Sequence, residues 1–225
     1  MADIFREVEE DLRKERVSKL WKRFGPYVLL AAVLVVLATA AWRGWIYWRE
    51  LEAAKTGDRF VAALNLANDG KHDDAMAALA DLSANGTGGY PVLAKLRAAS
   101  ELASAGKTDD AVKAFDALAA DGSTPPLLKS LARLRAALLL VGSSDLAAMK
   151  TRLGDLAATG GPWRNAAREL LGLTAWKAGD VEAARGYFTD IVGDPSATES
   201  MKSRAQLMLE LIKSKAGEPA PAAKS

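Results

Sequence analysis

Apolar and polar positions are arranged along this chain in three successive patterns. Ile4, Val8 and Leu12 recur at four-residue steps with Phe5 beside them, and Val17, Leu20, Trp21 and Phe24 continue at three- and four-residue spacing. One apolar stripe among charges predicts an amphipathic helix over residues 1–23. The next 19 residues, 24–42, read FGPYVLLAAVLVVLATAAW and hold no charged side chain. A helix of that length covers ~28 Å, close to the ~30 Å hydrocarbon core of a bilayer, so the segment is read as a transmembrane helix. Trp42, Trp45, Tyr47 and Trp48 cluster at its far end. Amphipathic rings suit the boundary of lipid and water, and these four side chains, with residues 43–52, are read as a membrane-interface belt.

From residue 53 to 215 the helical period returns and repeats. Gly70, Gly106, Gly142 and Gly179 stand 36, 36 and 37 positions apart, each followed five residues later by Ala75, Ala111, Ala147 or Ala184. Nine residues after the same glycines stand Leu79, Phe115, Thr151 and Phe188, so the third copy departs there. Pro91, Pro126, Pro162 and Pro195 mark the other boundary, each suited to a first helical turn, which needs no donor N–H.

Leu93, Leu96, Ala99, Leu102 and Ala103 share one face before Gly106, and Ala111, Ala114, Phe115 and Leu118 share one after it. Each copy is therefore a pair of antiparallel helices, with Gly stopping the first and Asp or Thr expected to cap the second. One pair cannot bury its apolar face alone, so four pairs must stack into a solenoid. Residues 197–213, with Met201, Ala205, Met208, Leu211 and Ile212 on one face, read as a closing helix, and the Pro/Ala-rich residues 216–225 as a disordered tail. The fold class is all-α.

Charge adds orientation. In the twelve residues 12–23 before the span Arg13, Lys14, Arg16, Lys19, Lys22 and Arg23 stand against Glu15 alone, whereas the twelve after Trp42 hold only Arg43 and Arg49 against Glu50 and Glu52. Positive flanks resist translocation, so the N-terminus is expected to stay in the cytoplasm and the C-terminal part to cross. A cleavable signal peptide is the competing reading, since Ala38-Thr39-Ala40 has the small-x-small form of a processing site. The long acidic-containing n-region favours an uncleaved anchor. The amphipathic N-terminus would lie on membrane lipid, with Lys19, Lys22 and Arg23 near head groups, or dock on a cytoplasmic protein.

The chain holds 30 basic and 28 acidic residues, and the part beyond residue 50 is balanced at 21 and 21, which disfavours nucleic acid as a partner. No Cys is present, and His72 is the single histidine, in a polar turn beside Asp73 and Asp74. A metal centre would need further ligands of that kind, and a Ser-His-Asp enzyme a nucleophile motif. No catalytic, cofactor or metal residue is assigned, and the chain is read as a binding protein.

The segment LGLTAWKAGDVEAARGYFTDIVGDP, Leu171 to Pro195, resembles a tetratricopeptide repeat: Leu171-Gly172, Gly179, Ala184, Phe188 and Pro195 match its small, aromatic and terminal positions. On that repeat frame Phe60, Leu64, Leu93, Leu96, Leu139 and Trp176 would face a peptide-binding groove. The whole layout, with Gly44-Trp45-Ile46-Tyr47-Trp48 after the span, is similar to the ancillary Sec-translocon subunit (YfgM-like) family. That resemblance implies a bacterial inner-membrane protein with a periplasmic repeat domain. It further implies association with the SecYEG translocon, with a periplasmic chaperone or prolyl-isomerase-like protein, and with newly exported polypeptides. The alternative is an envelope or cell-division scaffold holding one periplasmic protein.

Overall fold

The computed structural model describes residues 2–158 and 160–215, with side chains described for 27, 29–158 and 160–215. The expected tail and the faces of the 1–23 segment lie outside those residues. Among the described residues all regular structure is helical: α1 (Ala2–Asn68), α2 (His72–Asn85), α3 (Tyr90–Ser104), α4 (Thr108–Ala120), α5 (Pro126–Leu140), α6 (Leu146–Ala158), α7 (Arg164–Lys177), α8 (Val181–Val192) and α9 (Glu199–Lys215). The chain divides into two compact units, Met1–Lys55 and Thr56–Ser225.

In the first unit, α1 continues through Pro26 without a break. From Leu29 it is long and apolar enough to cross a membrane, with a mean hydropathy of 1.9 and none of its most apolar stretch buried by protein. Thr39 donates its hydroxyl to the Val35 carbonyl at 2.8 Å, so the one side-chain hydroxyl between Tyr27 and Trp42 is satisfied within the helix. Trp42, Trp45, Tyr47 and Trp48 are all exposed, and the Trp45 and Trp48 rings stand 5.8 Å apart, centroid to centroid.

The second unit is four helix pairs, from the end of α1 with α2 to α7 with α8, each helix packed on the next and α9 closing the series on α8. Its register is set by buried small residues. Ala63, Ala99, Ala137 and Gly172 on the first helices are each followed twelve positions later by Ala75, Ala111, Met149 or Ala184 on the second. Leu79, Phe115, Leu153 and Phe188 come four residues further, then Leu82, Leu118, Leu156 and Ile191, all buried. Spacing of i, i+4 and i+7 places each such triad on one helix face.

This frame corrects the glycine-based one. Its periods are 36, 38 and 35, so Gly142 lies two positions ahead of the true turn residue, Ser144. Ala147 and Thr151 are accordingly exposed, and Met149 and Leu153 occupy the core positions. The third copy carries its large apolar residue after all.

Turn chemistry explains the difference. Gly70, Gly106 and Gly179 have φ of 78°, 75° and 79°, the left-handed region open to glycine. Lys71, Lys107 and Asp180 N–H groups then reach back to Leu66, Leu102 and Ala175 carbonyls at 2.9, 2.9 and 3.0 Å, the Schellman closure. Ser144 cannot adopt that backbone cheaply, and its N–H bonds Leu140 at 2.8 Å instead. Capping also differs from expectation. Lys71 and Lys107 hold the N-cap positions of α2 and α4 and make no side-chain cap bond, while Asp73, Asp74, Asp109 and Asp110 sit in the first turns, where the helix dipole favours them. Asp145 and Asp180 do cap, accepting from Ala148 and Ala183 N–H groups at 2.7 and 3.0 Å. Pro91 and Pro126 begin helices, whereas Pro162 and Pro195 lie in the loops ahead of α7 and α9.

Candidate functional site

The first helices of the pairs form one layer, in which α5 and α7 pack directly on each other. Every residue predicted for the groove lies on these helices: Phe60 and Leu64 on α1, Leu93 and Leu96 on α3, Leu139 on α5 and Trp176 on α7. Their surroundings differ. Phe60 is half-buried, its ring 5.8 Å from that of Tyr90, against the cluster of Ala63, Leu79, Leu82 and Ala94. Leu96 and Leu139 pack on Ala99, Phe115, Leu118, Ala132 and Ala136, so both serve largely as core. Leu64 is half-buried and Leu93 is 36% exposed.

Leu138, beside Leu139, is 54% exposed and stands in register with Leu64, Ser100 and Leu173. Sequence reasoning missed it because Gly142 misplaced the third copy by two residues. The small-residue series Ala63, Ala99, Ala137 and Gly172 was the signal that could have found it.

Trp176 is half-buried at the α9 end of this layer. It packs beside Ala175, Ala184, Phe188 and Ile212, and the Lys215 ammonium lies 4.6 Å above its ring centroid, a cation–π contact. On the same helix Glu169 accepts from Arg204 of α9 at 2.7 and 2.8 Å. The closing helix thus covers the fourth copy with two cations. The accessible first-helix surface includes Leu93 and Leu138, flanked one turn away by Arg97 and the exposed Arg135.

A second internal pattern was not foreseen. Arg59 pairs with Asp81, Arg133 with Asp155 and Arg168 with Asp190, each 22 positions apart and each joining the first helix of a pair to the second. Arg133 is bidentate, at 2.7 and 2.6 Å, and this contact holds the Asp155 carboxyl below the usual carboxylate range. Asp194, buried in the loop before α9, accepts from the Ser196 hydroxyl and N–H at 2.8 Å and from Arg164 and Arg168 at 2.5 and 3.2 Å. The Ser196 bonds, then Arg164, hold its carboxyl far below the ordinary range.

His72 is exposed, with Nδ1 3.2 Å from a Glu101 oxygen, and Glu101 is itself buried and paired with Arg97 at 2.5 Å. Among the described residues no group of three or more His, Cys, Asp or Glu stands together as a metal site would require. What the repeat unit offers chemically is surface, with Leu93 and Leu138 exposed on its first helices.

No curated protein and no solved structure matches the chain. A family model described as a tetratricopeptide repeat-like domain matches residues 18–222. Repeats of this kind mediate protein–protein interaction, and the buried small-residue register, the left-handed glycine turns and that match agree: the chain belongs to the tetratricopeptide repeat-like domain family.

Proposed function

We propose that the chain is a single-pass protein of a bacterial inner membrane, anchored by residues 24–42 with residues 1–23 in the cytoplasm and the repeat domain of 53–215 in the periplasm. In this reading it associates with the SecYEG translocon and brings a periplasmic chaperone or prolyl-isomerase-like protein to newly exported polypeptides. The observation that carries the proposal is a tetratricopeptide repeat-like unit on the same chain as an apolar helix that the rest of the chain leaves exposed, with basic residues concentrated on one immediate flank. A site at the channel exit needs an anchor to hold it there. It also needs a surface that accepts varied apolar segments, and the Leu93 and Leu138 layer supplies one.

The test is purification of the tagged full chain from membranes in mild detergent. Co-purification of channel subunits in stoichiometric amount supports the proposal, and a preparation with one envelope or division protein and no channel subunit replaces it with a scaffold role. Topology is read separately. The chain has no cysteine, so a single Cys at Ser203 is expected to react with an impermeant maleimide added outside the inner membrane. Lack of labelling until the cells are lysed would reverse the orientation.

A further inference from the structure

The Arg–Asp series lapses once, and a cleft opens there. Ala117 of α4 stands in register with Asp81, Asp155 and Asp190, and Lys95, in register with Arg59, Arg133 and Arg168, reaches past it to Asp121 at 3.5 Å. Beside this pair lies a cleft of about 390 Å³, formed by Met76 and Ala80 of α2, Ala98 and Leu102 of α3, and Ala114 and Ala117 of α4. Its walls are small and apolar, and a volume in the range of ~300–1,000 Å³ is what buried ligand groups occupy elsewhere.

The same chain carries a matching projection. The outer face of a terminal helix in a repeat array is ordinarily polar, because nothing stacks on it. Yet Leu207 of α9 is 71% exposed and Leu211, one turn on, 47%. Ser200, Ser203 and Ser214 complete that stripe, so it contains no charge, and Arg204 and Glu210 flank it on either side. We propose that α9 of one copy docks into the α2–α3–α4 cleft of a second copy. The stripe enters an apolar site without desolvating a charge, and Arg204 and Glu210, paired with Glu169 and Lys213 in their own copy, stand at the rim beside the Lys95–Asp121 pair, where they can share it. The contact is heterologous, so repeating it links copies head to tail, into a ring where the rotation closes and an open chain where it does not. A single helix in a cleft falls short of the ~1,200 Å² of a stable interface, so association is weak in dilute solution and gains from copies held close together. The inference does not depend on the first-helix surface or its partners.

The absence of cysteine makes the test direct. Two differently tagged full-length copies are co-expressed, one with Ser83→Cys in the cleft wall and the other with Ser203→Cys or Ser214→Cys beside the stripe, and intact membranes are treated with a short bis-maleimide. The expected result is a mixed dimer that neither cysteine variant forms alone. Ala117→Asp in the first copy, which restores the acidic residue of the other repeats, or Leu207→Glu in the second is expected to reduce it at least tenfold with unchanged helical circular dichroism. Absence of the mixed product from both stripe positions overturns the proposal. So does crosslinking of Ser203→Cys copies to each other, which would mean α9 pairs with α9, and so does a mixed product indifferent to Ala117→Asp.

Discussion

Gly172 of α7 lies so close to Phe188 of α8 that a β-carbon on it would stand 2.9 Å from Cζ of the ring. The two residues occupy matched core positions of the fourth pair. Their contact sets how near the helices approach. Gly172→Ala gains about 1 kcal/mol of helix propensity but forces an overpacking that costs about 1–3 kcal/mol. A net loss of stability is expected. Gly154→Ala on α6, where nothing lies within 4 Å, is expected to stabilise by about 0.5–1 kcal/mol. Thermal melts of the two variants check the contrast, and combining Gly172→Ala with Phe188→Leu is expected to recover part of the loss.

The register of the third pair makes a second prediction. Leu153 is fully buried in the cluster with Met149, Leu156 and Leu171, so Leu153→Ala is expected to cost about 2–5 kcal/mol. Thr151 is exposed and bonds only the Ala147 carbonyl of its own helix, at 3.1 Å, so Thr151→Ala is expected to stay within about 0.5 kcal/mol. The glycine-based frame would place the sensitive position at Thr151. Denaturant midpoints of the two variants decide between the frames.

Acid sensitivity follows from three carboxyls held low in the folded chain: Asp194 by Ser196 and then Arg164, Asp155 by Arg133, and Asp121 by Ser123. Their folded pKa values lie below their unfolded ones, so the unfolded chain binds more protons as pH falls. The stabilisation is fully present above the ordinary carboxylate pKa of about 3.9 and is lost as pH falls through the folded values. The melting temperature is expected to be flat from about pH 7 to 5 and to drop below about pH 4, with a shallower drop in Asp194→Asn. A melting temperature that rises on acidification below about pH 4 would contradict this assignment.

Surface and core substitutions on the first helices are expected to separate binding from folding. Leu93→Asp and Leu138→Asp change exposed side chains, so partner recovery is expected to fall severalfold with little change in melting temperature. Leu96→Asp places a charge against the Phe115 cluster and is expected to lower the melting temperature first. Co-purification and thermal melts on the same preparations measure both effects.

The helix pairs, their four-fold repetition and an N-terminal helix long and apolar enough to cross a membrane were legible in the sequence, because each rests on local pattern. The third repeat was misread because Gly142 falls near the expected spacing by coincidence, whereas the buried residue twelve positions past each first-helix small residue keeps the register. Ala136 and Leu138 show the cost: the glycine-based frame aligns the buried Ala136 with Leu64, whereas the two-residue shift puts the exposed Leu138 there. The Arg59–Asp81, Arg133–Asp155 and Arg168–Asp190 pairs escaped sequence reading because a 22-residue separation has meaning only once the second helix folds back on the first. The covering of Trp176 by Lys215 is likewise a tertiary event between α7 and α9, with no local signature.

The proposal of a binding protein at the export channel is tested most directly by in-cell photocrosslinking of the full chain. One photoreactive residue is placed at Val35 in the apolar helix and another at Leu93 on the exposed first-helix layer. The account predicts translocon subunits crosslinked to Val35, and exported polypeptides or a periplasmic folding factor crosslinked to Leu93. Recovery of envelope-assembly or division proteins from both positions, with no translocon subunit, would contradict it.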